Sequence, residues 1–410
     1  MSLRLIAPTS KSMTQRALVL AALSEAPVTV RRPLVCDDST YLTDLLRQLG
    51  HTVSWSSGVV TVEPVAPPWT APSGAVLLGN AGTAVRFGSC LSLLVEGDLT
   101  IDGTEHMRRR PLGPLGDALS DLGVEVGYPM DEGCPPVTYR RRKTFDHERP
   151  SVDIDTTKSS QYASGLAMVG PRLPQGLIVR STGAKVSRPY WNMTLAMMDR
   201  HGASVVDLDE DRIAIAPGGY AGGNEIVIEP DWSGAAFLLA AGRIINLPVE
   251  VEGLPDPRDS LQGDAEFAAM LRTLDQPPDK DAYEFDIIHC SDLIAPLAAA
   301  CVFASAPSRI RGAAHTRHKE CDRVAVLATE LQKVGIDITP LDDGLDIVPH
   351  DPSQVVPGRP VLNPDEDHRM AMAFALVGLR LPLEVSSKAC VAKSFPNFWD
   401  AYETIRAAKP

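Results

Sequence analysis

An apolar helix opens at Gly79-Asn80-Ala81-Gly82-Thr83-Ala84-Val85-Arg86, where a turn of small residues leads into the segment Ala84–Leu94. The absence of Cβ atoms at Gly79 and Gly82 lets the backbone turn tightly and bring its N–H groups close to an anion at the positive end of the helix. A short distance on, Arg108-Arg109-Arg110-Pro111 adds a cluster of positive charge. The loop and the cluster together predict a binding site for a strongly anionic small molecule.

Openings of this kind recur along the chain, roughly 60 to 80 residues apart, which indicates a repeat. They lie near Ser12, Gly82, Ser160, Ser233, Asp292 and Asp367. Each leads into an apolar segment, and a helix that is apolar all round belongs in a protein core. The predicted core helices are Ala17–Leu23, Ala84–Leu94, Ala163–Val169, Ala235–Ala241, Ala295–Ala304 and Met370–Leu379.

A second, amphipathic helix follows in each repeat, and short segments of alternating polarity come after it. The predicted amphipathic helices are Thr40–Leu49, Leu112–Leu122, Trp191–His201, Ala265–Leu274, Arg323–Val334 and Phe398–Ile405. Several end at a glycine, as a left-handed C-terminal residue requires. Val59–Val62, Arg212–Ile215 and Gly344–Val348 are predicted strands. The repeat is therefore strand, core helix, strand, amphipathic helix, strand, strand, and six copies would give three in each of two domains.

Length, charge and cysteine content narrow the function further. A chain of 410 residues predicts two domains, with a break near the Gly-rich stretch Ala216–Gly223. The net charge of −13 argues against nonspecific nucleic-acid binding, and no apolar run reaches the roughly 18 residues of a membrane span. The 7 cysteines, without a CxxC pair, favour reduced thiols over disulfides or a zinc site. We expect a cytoplasmic protein that binds an anionic metabolite.

A second candidate site lies at His315-Thr316-Arg317-His318-Lys319-Glu320-Cys321-Asp322-Arg323. Helical spacing predicts Lys319 and Arg323 on one helix face, where their like charges repel unless they share an anion. Glu320 beside them could move a proton. The alternative is an exposed helix start stabilised by salt bridges. His315 and His318 could suggest a metal, but no third ligand is near them in the sequence, and no metal is expected.

These segments resemble the signature regions of the 5-enolpyruvylshikimate-3-phosphate synthase family, in order and over nearly the whole chain. Any one of them is weak evidence, whereas the series in register is strong. The matching segments are Ser10-Lys11-Ser12 with Arg16, Gly79–Arg86, Arg110-Pro111, Ser159-Ser160-Gln161, Ser187-Arg188-Pro189-Tyr190, Gln262-Gly263-Asp264, Lys319–Arg323, Asp367–Met372 and Ala392–Pro396.

The resemblance implies an α/β fold of two domains, each with three βαβαββ repeats around buried helices in a pseudo-threefold arrangement, and an active site in the inter-domain cleft. Residues 1–9 and 225–410 would form one discontinuous domain and residues 10–224 the other. The implied reaction transfers the enolpyruvyl group of phosphoenolpyruvate to the 5-hydroxyl of shikimate 3-phosphate and releases phosphate through a tetrahedral intermediate. No cofactor is implied, and we expect a monomer without nucleic-acid or membrane partners.

The resemblance also implies roles for individual residues. Asp292 would be the base for the 5-hydroxyl, Glu320 the acid toward the methylene carbon, and Lys11 would assist proton transfer or stabilise charge in the intermediate. The implied contacts of shikimate 3-phosphate are Lys11, Ser12, Arg16, Ser159, Ser160, Ser187, Tyr190, Asp292, His315 and Lys319. The implied contacts of phosphoenolpyruvate are Lys11, Gly82, Arg110, Gln161, Arg323, Arg369 and Lys393.

Some of the residues with implied binding or catalytic roles also fit purely structural roles at helix starts. Ser12, Ser160 and Ser187 fit helix caps, and Asp292 and Asp367 fit charges favoured at helix N-termini.

Two other functions are alternatives to enolpyruvyl transfer onto shikimate 3-phosphate. UDP-N-acetylglucosamine enolpyruvyl transferase shares the architecture and the donor, but it presents a cysteine on a mobile loop where this chain carries His106–Arg110. A non-catalytic nucleic-acid clamp built of repeats would need Lys and Arg along its inner helices, where this chain has Ala and Leu. Phe87 stands where many members of the resembled family have proline, which leaves sensitivity to the inhibitor glyphosate open; Gly82→Ala is expected to weaken its binding by crowding.

Overall fold

The computed structural model describes residues 2–142, 148–351 and 353–409. Its helices are α1 (Lys11–Ala22), α2 (Asp37–Gln48), α3 (Gly82–Leu91), α4 (Gly113–Asp121), α5 (Gln161–Val169), α6 (Arg188–Arg200), α7 (Trp232–Ile244), α8 (Phe267–Leu274), α9 (Ile294–Cys301), α10 (Arg323–Gln332), α11 (His368–Val377) and α12 (Phe398–Ala408). Its strands are β1 (Leu3–Leu5), β2 (Val28–Arg31), β3 (Thr52–Ser56), β4 (Val59–Glu63), β5 (Trp69–Thr70), β6 (Val76–Leu77), β7 (Val95–Glu96), β8 (Asp98–Asp102), β9 (Val124–Gly127), β10 (Val137–Arg141), β11 (Ser151–Asp155), β12 (Leu177–Thr182), β13 (Val205–Asp207), β14 (Arg212–Ile215), β15 (Glu225–Val227), β16 (Val249–Val251), β17 (Tyr283–Asp286), β18 (Ser308–Arg311), β19 (Ile338–Leu341), β20 (Gly344–Ile347), β21 (Val361–Leu362) and β22 (Glu384–Val385).

The chain divides into two units. One comprises Met1–Ser10 and Glu229–Pro410, and the other is Lys11–Ile228; we name them the discontinuous unit and the continuous unit. Strand β15 pairs in parallel with β2, with Glu225 opposite Thr29. Residues 225–227 therefore belong to the continuous unit, although the sequence analysis assigned them to the discontinuous domain. Local sequence could not show this, because the pairing joins residues almost a whole unit apart.

The continuous unit holds three four-stranded sheets among its described residues, in the orders β15-β2-β4-β3, β6-β8-β10-β9 and β11-β12-β14-β13. In each sheet the first two strands are parallel and the remaining neighbours are antiparallel. Parallel neighbours need a long crossover connection, which is usually a helix, whereas antiparallel neighbours need only a turn. This is the predicted βαβαββ repeat, and β15 supplies the first strand of the repeat that contains α1.

The discontinuous unit departs from this regularity. It contains one such sheet, β17-β18-β20-β19, and two parallel pairs, β1-β16 and β21-β22, among the described residues. The repeats built on α7 and α11 thus keep their helices and parallel strands without the closing antiparallel strands. After α8 the chain continues with Pro277-Pro278, and proline has no N–H with which to extend a sheet.

The predicted core helices correspond to α1, α3, α5, α7, α9 and α11. Helix α3 packs on α5 in the continuous unit, and α7, α9 and α11 pack on one another in the discontinuous unit. Every residue of α9 and α11 is buried. Because burial fixes the position of these helices, it also fixes where their N-terminal ends lie. No helix within the described residues is long and apolar enough to cross a membrane, and the cysteines are free thiols.

Candidate functional site

A buried arginine in the discontinuous unit is surrounded by carboxylates. Arg323 donates from Nη1 to Asp292 Oδ1 at 2.8 Å, from Nη2 to Glu320 Oε2 at 3.0 Å, and from Nε to Asp367 Oδ2 at 2.8 Å. Its side chain is 1% exposed, and that of Glu320 is 8% exposed. The alternative of an exposed, salt-bridged helix start is therefore right about the salt bridges and wrong about the exposure of Arg323 and Glu320.

Three further cations contact the carboxylates of Asp292 and Glu320. Arg369 Nη2 donates to Asp292 Oδ2 at 2.9 Å, and Lys393 Nζ donates to Glu320 Oε1 at 2.8 Å. Lys319 Nζ lies 3.9 Å from Asp292 Oδ1. We name Asp292, Lys319, Glu320, Arg323, Asp367, Arg369 and Lys393 the Arg323 network. It brings together residues that lie far apart in the sequence.

Helix starts position both arginines of this network. The carboxylate of Asp322 accepts the N–H of Ala325 and so caps α10, whose first residue is Arg323. Asp367 accepts the N–H of Arg369 and caps α11. Asp367 lies at the helix N-terminus, as the interpretation of it as a favoured N-terminal charge expected, and it is in addition a cap and a partner of Arg323. Its side chain is fully buried.

The predicted helix face shared by Lys319 and Arg323 is wrong. A short 3-10 helix, Ala314–His318, ends before Lys319, and α10 begins only at Arg323. The two cations nevertheless share an anion, because both approach Asp292 Oδ1. Asp292 thus reduces the repulsion between the two cations, while the binding of a ligand anion by this pair stays a prediction.

The charges of this network perturb its titration. Burial raises the pKa of Asp292, but the positive charges of Arg369, Lys319 and Arg323 outweigh it and hold the pKa well below its ordinary value. Burial lowers the pKa of Arg323, but the carboxylates of Asp367, Glu320 and Asp292 raise it well above its ordinary value. Asp292 and Arg323 are therefore both charged at neutral pH.

His315 lies beside this network and is 6% exposed. Burial, together with the charge of Lys319, lowers the pKa of its imidazole to about 4. The ring is therefore neutral at physiological pH. It can donate and accept hydrogen bonds but offers no positive charge to a ligand.

A second cluster surrounds the N-terminus of α3 in the continuous unit. A Cβ atom on Gly82 would lie 2.6 Å from Arg110 Nη2, so the Arg110 guanidinium packs directly against this glycine. Gln161, the first residue of α5, accepts from Arg86 Nη1 at 2.7 Å and donates to Thr83 Oγ1 at 2.9 Å. The structure thus brings together the predicted residues Gly82, Arg110 and Gln161 at one helix start, and it adds Arg86 and Thr83.

A third cluster joins α1 to α6 through Arg16. Its guanidinium donates to the carbonyl oxygens of Ser12 and Tyr190, at 2.9 and 3.1 Å, and to Thr194 Oγ1 at 2.7 Å. Lys11 is the first residue of α1, and its Nζ lies 3.1 Å from Asp38 Oδ2. The side chains of Lys11 and Arg16 are therefore oriented by contacts within the continuous unit.

The predicted serines lie at the starts of α5 and α6. Ser160 and Ser187 are buried, and within the described residues neither side chain makes the capping hydrogen bond of its helix. Capping therefore does not explain these two hydroxyls. Ser159 Oγ accepts the N–H of Gln161 at 3.2 Å. Ser187 has a left-handed backbone, with φ of 54°, a conformation that costs energy for a residue other than glycine.

Three side chains that contact predicted site residues were not themselves predicted as site residues from the sequence. Asp38 contacts Lys11, Thr194 contacts Arg16, and Asp367, noted only as a helix charge, contacts Arg323. No local pattern marks Asp38 or Thr194, because each meets its partner only through tertiary packing. A group of His, Cys, Asp and Glu side chains suited to a metal ion does not occur in the part of the chain that the structure describes.

Known proteins resemble the chain along its length. A model of the family EPSP synthase (3-phosphoshikimate 1-carboxyvinyltransferase) matches residues 2–402. A 3-phosphoshikimate 1-carboxyvinyltransferase of Syntrophobacter fumaroxidans is 36% identical over 422 residues, which cover 98% of this chain and 97% of the relative. A protein of the same name from Pseudomonas syringae pv. tomato is 35% identical over 411 residues, covering 98% and 94%. The solved structure of EPSP synthase from Acinetobacter baumannii matches with a TM-score of 0.74 at 22% identity, covering 98% of this chain and 94% of that one, and so shares the fold.

Proposed function

The chain belongs to the EPSP synthase (3-phosphoshikimate 1-carboxyvinyltransferase) family, and we propose that the three clusters described above provide the residues for its reaction. The enzyme transfers the enolpyruvyl group of phosphoenolpyruvate to the 5-hydroxyl of shikimate 3-phosphate and releases phosphate. The observation that carries the assignment of roles is the position of two carboxylates, Asp292 and Glu320, on two nitrogens of one buried guanidinium, where one can act as base and the other as acid.

Phosphoenolpyruvate brings a carboxylate and a phosphate. Guanidinium groups suit both, because their planar fork can bond two oxygens at once. Gly82 contributes by the absence of a Cβ, which leaves room for Arg110 at the positive end of α3. The residues assigned to this substrate are Lys11, Gly82, Arg110, Gln161, Arg323, Arg369 and Lys393.

Shikimate 3-phosphate offers a phosphate, a carboxylate and ring hydroxyls. The buried hydroxyls of Ser160 and Ser187 and the buried cation of Arg16 are the kinds of group that bind such anions once water is excluded. The neutral His315 suits a hydroxyl rather than a phosphate. The residues assigned to this substrate are Lys11, Ser12, Arg16, Ser159, Ser160, Ser187, Tyr190, Asp292, His315 and Lys319.

The chemistry is an addition followed by an elimination. The addition starts with Glu320 protonated, which requires substrate anions to take over the contacts of Arg323 and Lys393 with its carboxylate. Glu320 then gives its proton to the methylene carbon, the 5-hydroxyl oxygen attacks the neighbouring carbon, and Asp292 accepts the hydroxyl proton. In the elimination, the new methyl group loses a proton to Glu320 and the C–O bond to phosphate breaks, with Lys11 and the arginines stabilising the departing charge. Asp292 then passes the proton that it took from the 5-hydroxyl to the departing phosphate, so both carboxylates end in their starting states.

Substrate binding would also activate Asp292. Its pKa is held low by Arg369, Lys319 and Arg323, so it is a weak base in the structure as it stands. An anionic substrate that bonds to these cations would neutralise part of their charge and raise the proton affinity of Asp292. The base would thus become strong only when both substrates are bound.

The function is tested by phosphate release from phosphoenolpyruvate without added metal. Shikimate 3-phosphate and UDP-N-acetylglucosamine are supplied separately as acceptors, and release only with shikimate 3-phosphate supports the proposal. Release only with the sugar nucleotide, or with neither acceptor, would refute it. For the two carboxylates, formation of the tetrahedral intermediate in a single turnover is compared in Asp292→Ala, Glu320→Ala and the unchanged enzyme; near-normal rates in both variants would remove them from the chemistry.

We further propose a cytoplasmic, monomeric enzyme. The free thiols at every cysteine support a reducing compartment. Cell fractionation checks the compartment, and light scattering of the purified protein checks the oligomeric state.

A further inference from the structure

Arg16 is held by neutral oxygens. Nε donates to Thr194 Oγ1 at 2.7 Å, Nη1 to the carbonyl of Ser12 at 2.9 Å, and Nη2 to the carbonyl of Tyr190 at 3.1 Å. The guanidinium carbon lies 5.5 Å from the centre of the Phe87 ring, within the range of a cation–π contact. These contacts fix the side chain at both ends of its planar fork.

This environment differs from that of Arg323, whose three acceptors are carboxylates. Neutral acceptors orient the Arg16 cation without cancelling its charge. Burial lowers the pKa of Arg16 to about 10, so it stays protonated at neutral pH. A protonated guanidinium has five N–H groups, and the bonds described above use one on each nitrogen. An anionic group of a substrate would accept hydrogen bonds from the second N–H of Nη1 and of Nη2.

Thr194 is the side-chain acceptor in this set, while the other two acceptors belong to the backbone. Its hydroxyl is fully buried and lies 2.9 Å from Ser164 Oγ and 2.9 Å from the Tyr190 carbonyl. Ser164 is also fully buried. Since a threonine hydroxyl has one proton, it can accept from Arg16 while it donates to one of these neighbours. The Thr194 oxygen is thereby turned toward Arg16 Nε.

We propose that Thr194 is a positioning residue for shikimate 3-phosphate binding, which acts by fixing the orientation of the Arg16 guanidinium. Rotation about the Cδ–Nε bond of Arg16 would move both Nη atoms. The hydrogen bond from Nε to Thr194 Oγ1 resists that rotation. Ser164 supports this arrangement by bonding to the Thr194 hydroxyl. The inference rests on the proposed function, because it takes shikimate 3-phosphate as the anion that Arg16 binds.

Thr194→Val tests the proposal because it removes the hydroxyl and keeps the branched shape of the side chain. Loss of one charge-assisted hydrogen bond should raise the dissociation constant and the KM for shikimate 3-phosphate about tenfold. The kcat and the KM for phosphoenolpyruvate should stay within about twofold, since Thr194 is assigned to neither. Thr194→Ser keeps the hydroxyl and should restore binding, which a loss of packing alone would not explain.

Thr43→Val is the matched control. Thr43 is likewise fully buried on a helix of the continuous unit, and its hydroxyl donates to the carbonyl of Thr40 at 2.9 Å. This variant should bind shikimate 3-phosphate as the unchanged enzyme does. An equal loss in both valine variants would show a general effect of destabilisation and would overturn the proposal.

Titration calorimetry with shikimate 3-phosphate alone separates the remaining outcomes. If the unchanged enzyme binds and Thr194→Val binds equally well, the positioning role is refuted while the proposed function stands. If the unchanged enzyme does not bind, both fail together. Should Thr194→Val not fold, Ser164→Ala replaces it: an increase of about threefold in the dissociation constant is expected from the loosened hydroxyl, and an unchanged value overturns the proposal.

Discussion

Gly82→Ala should displace the Arg110 guanidinium. The added Cβ would lie 2.6 Å from Nη2 and 2.7 Å from both Nη1 and the guanidinium carbon of Arg110, whereas ordinary contacts begin at 3.4 Å. The guanidinium must therefore retreat by about 1 Å, which is enough to break a hydrogen bond of normal length. Because Arg110 is a flexible side chain, the fold can absorb this change. The effect should fall on ligand binding rather than on stability.

The magnitude follows from the bond that is lost. A hydrogen bond between a guanidinium and an anionic oxygen contributes about 1.5–3 kcal/mol, so the KM for phosphoenolpyruvate should rise roughly 10- to 100-fold. Glyphosate inhibition should weaken with it, as the sequence analysis expects. The KM for shikimate 3-phosphate should change by less than about twofold, because Gly82 is not assigned to it.

Steady-state kinetics with each substrate varied in turn provides the assay. Gly113→Ala is the matched control, since Gly113 is also the first residue of a helix and its nearest Cβ neighbour lies 3.8 Å away. In an Arg110→Lys background Gly82→Ala should have a much smaller effect, because the two changes act on one contact. An unchanged KM for phosphoenolpyruvate and an unchanged inhibition constant for glyphosate in the folded variant would refute the reasoning.

Two further predictions concern Asp367 and His51. Asp367→Asn keeps an oxygen that can cap α11 but removes a negative charge 2.8 Å from buried Arg323. The kcat/KM for phosphoenolpyruvate should therefore fall at least about tenfold, with little change in thermal stability. Full activity in steady-state kinetics would contradict this. Burial lowers the pKa of His51 from its ordinary value of 6.5 to about 4. The stability that this side chain contributes is therefore complete above pH 6.5 and is lost as the pH falls toward 4. In His51→Asn the amide oxygen can still accept the N–H of Val65, as Nδ1 does. This variant should take up about one proton fewer on urea unfolding in this pH range. If the free energy of unfolding has the same slope against pH in the variant and the unchanged enzyme, His51 does not titrate as described.

The family and the two-domain α/β fold predicted from the sequence are confirmed by the comparisons. The core helices could be predicted because an apolar surface on all sides is a property of a short segment, and α9 and α11 show it at every position. Strand β15 could not be placed in this way. Its partner β2 lies at the other end of the continuous unit, and hydrogen bonding between distant strands leaves no periodic trace in either segment.

The same division applies to the candidate site. The sequence by itself determined which charged and hydroxyl side chains begin helices, since capping and close turns depend on a few neighbouring residues. Only the tertiary structure decided their contacts: that Lys319 precedes its helix, that Arg323 gathers Asp292, Glu320 and Asp367, and that Thr194 meets Arg16 across a separation of 178 residues. Coulombic attraction and hydrogen bonding act through space, and distances in space between remote residues are set by the packing of the buried helices and not by their order along the chain.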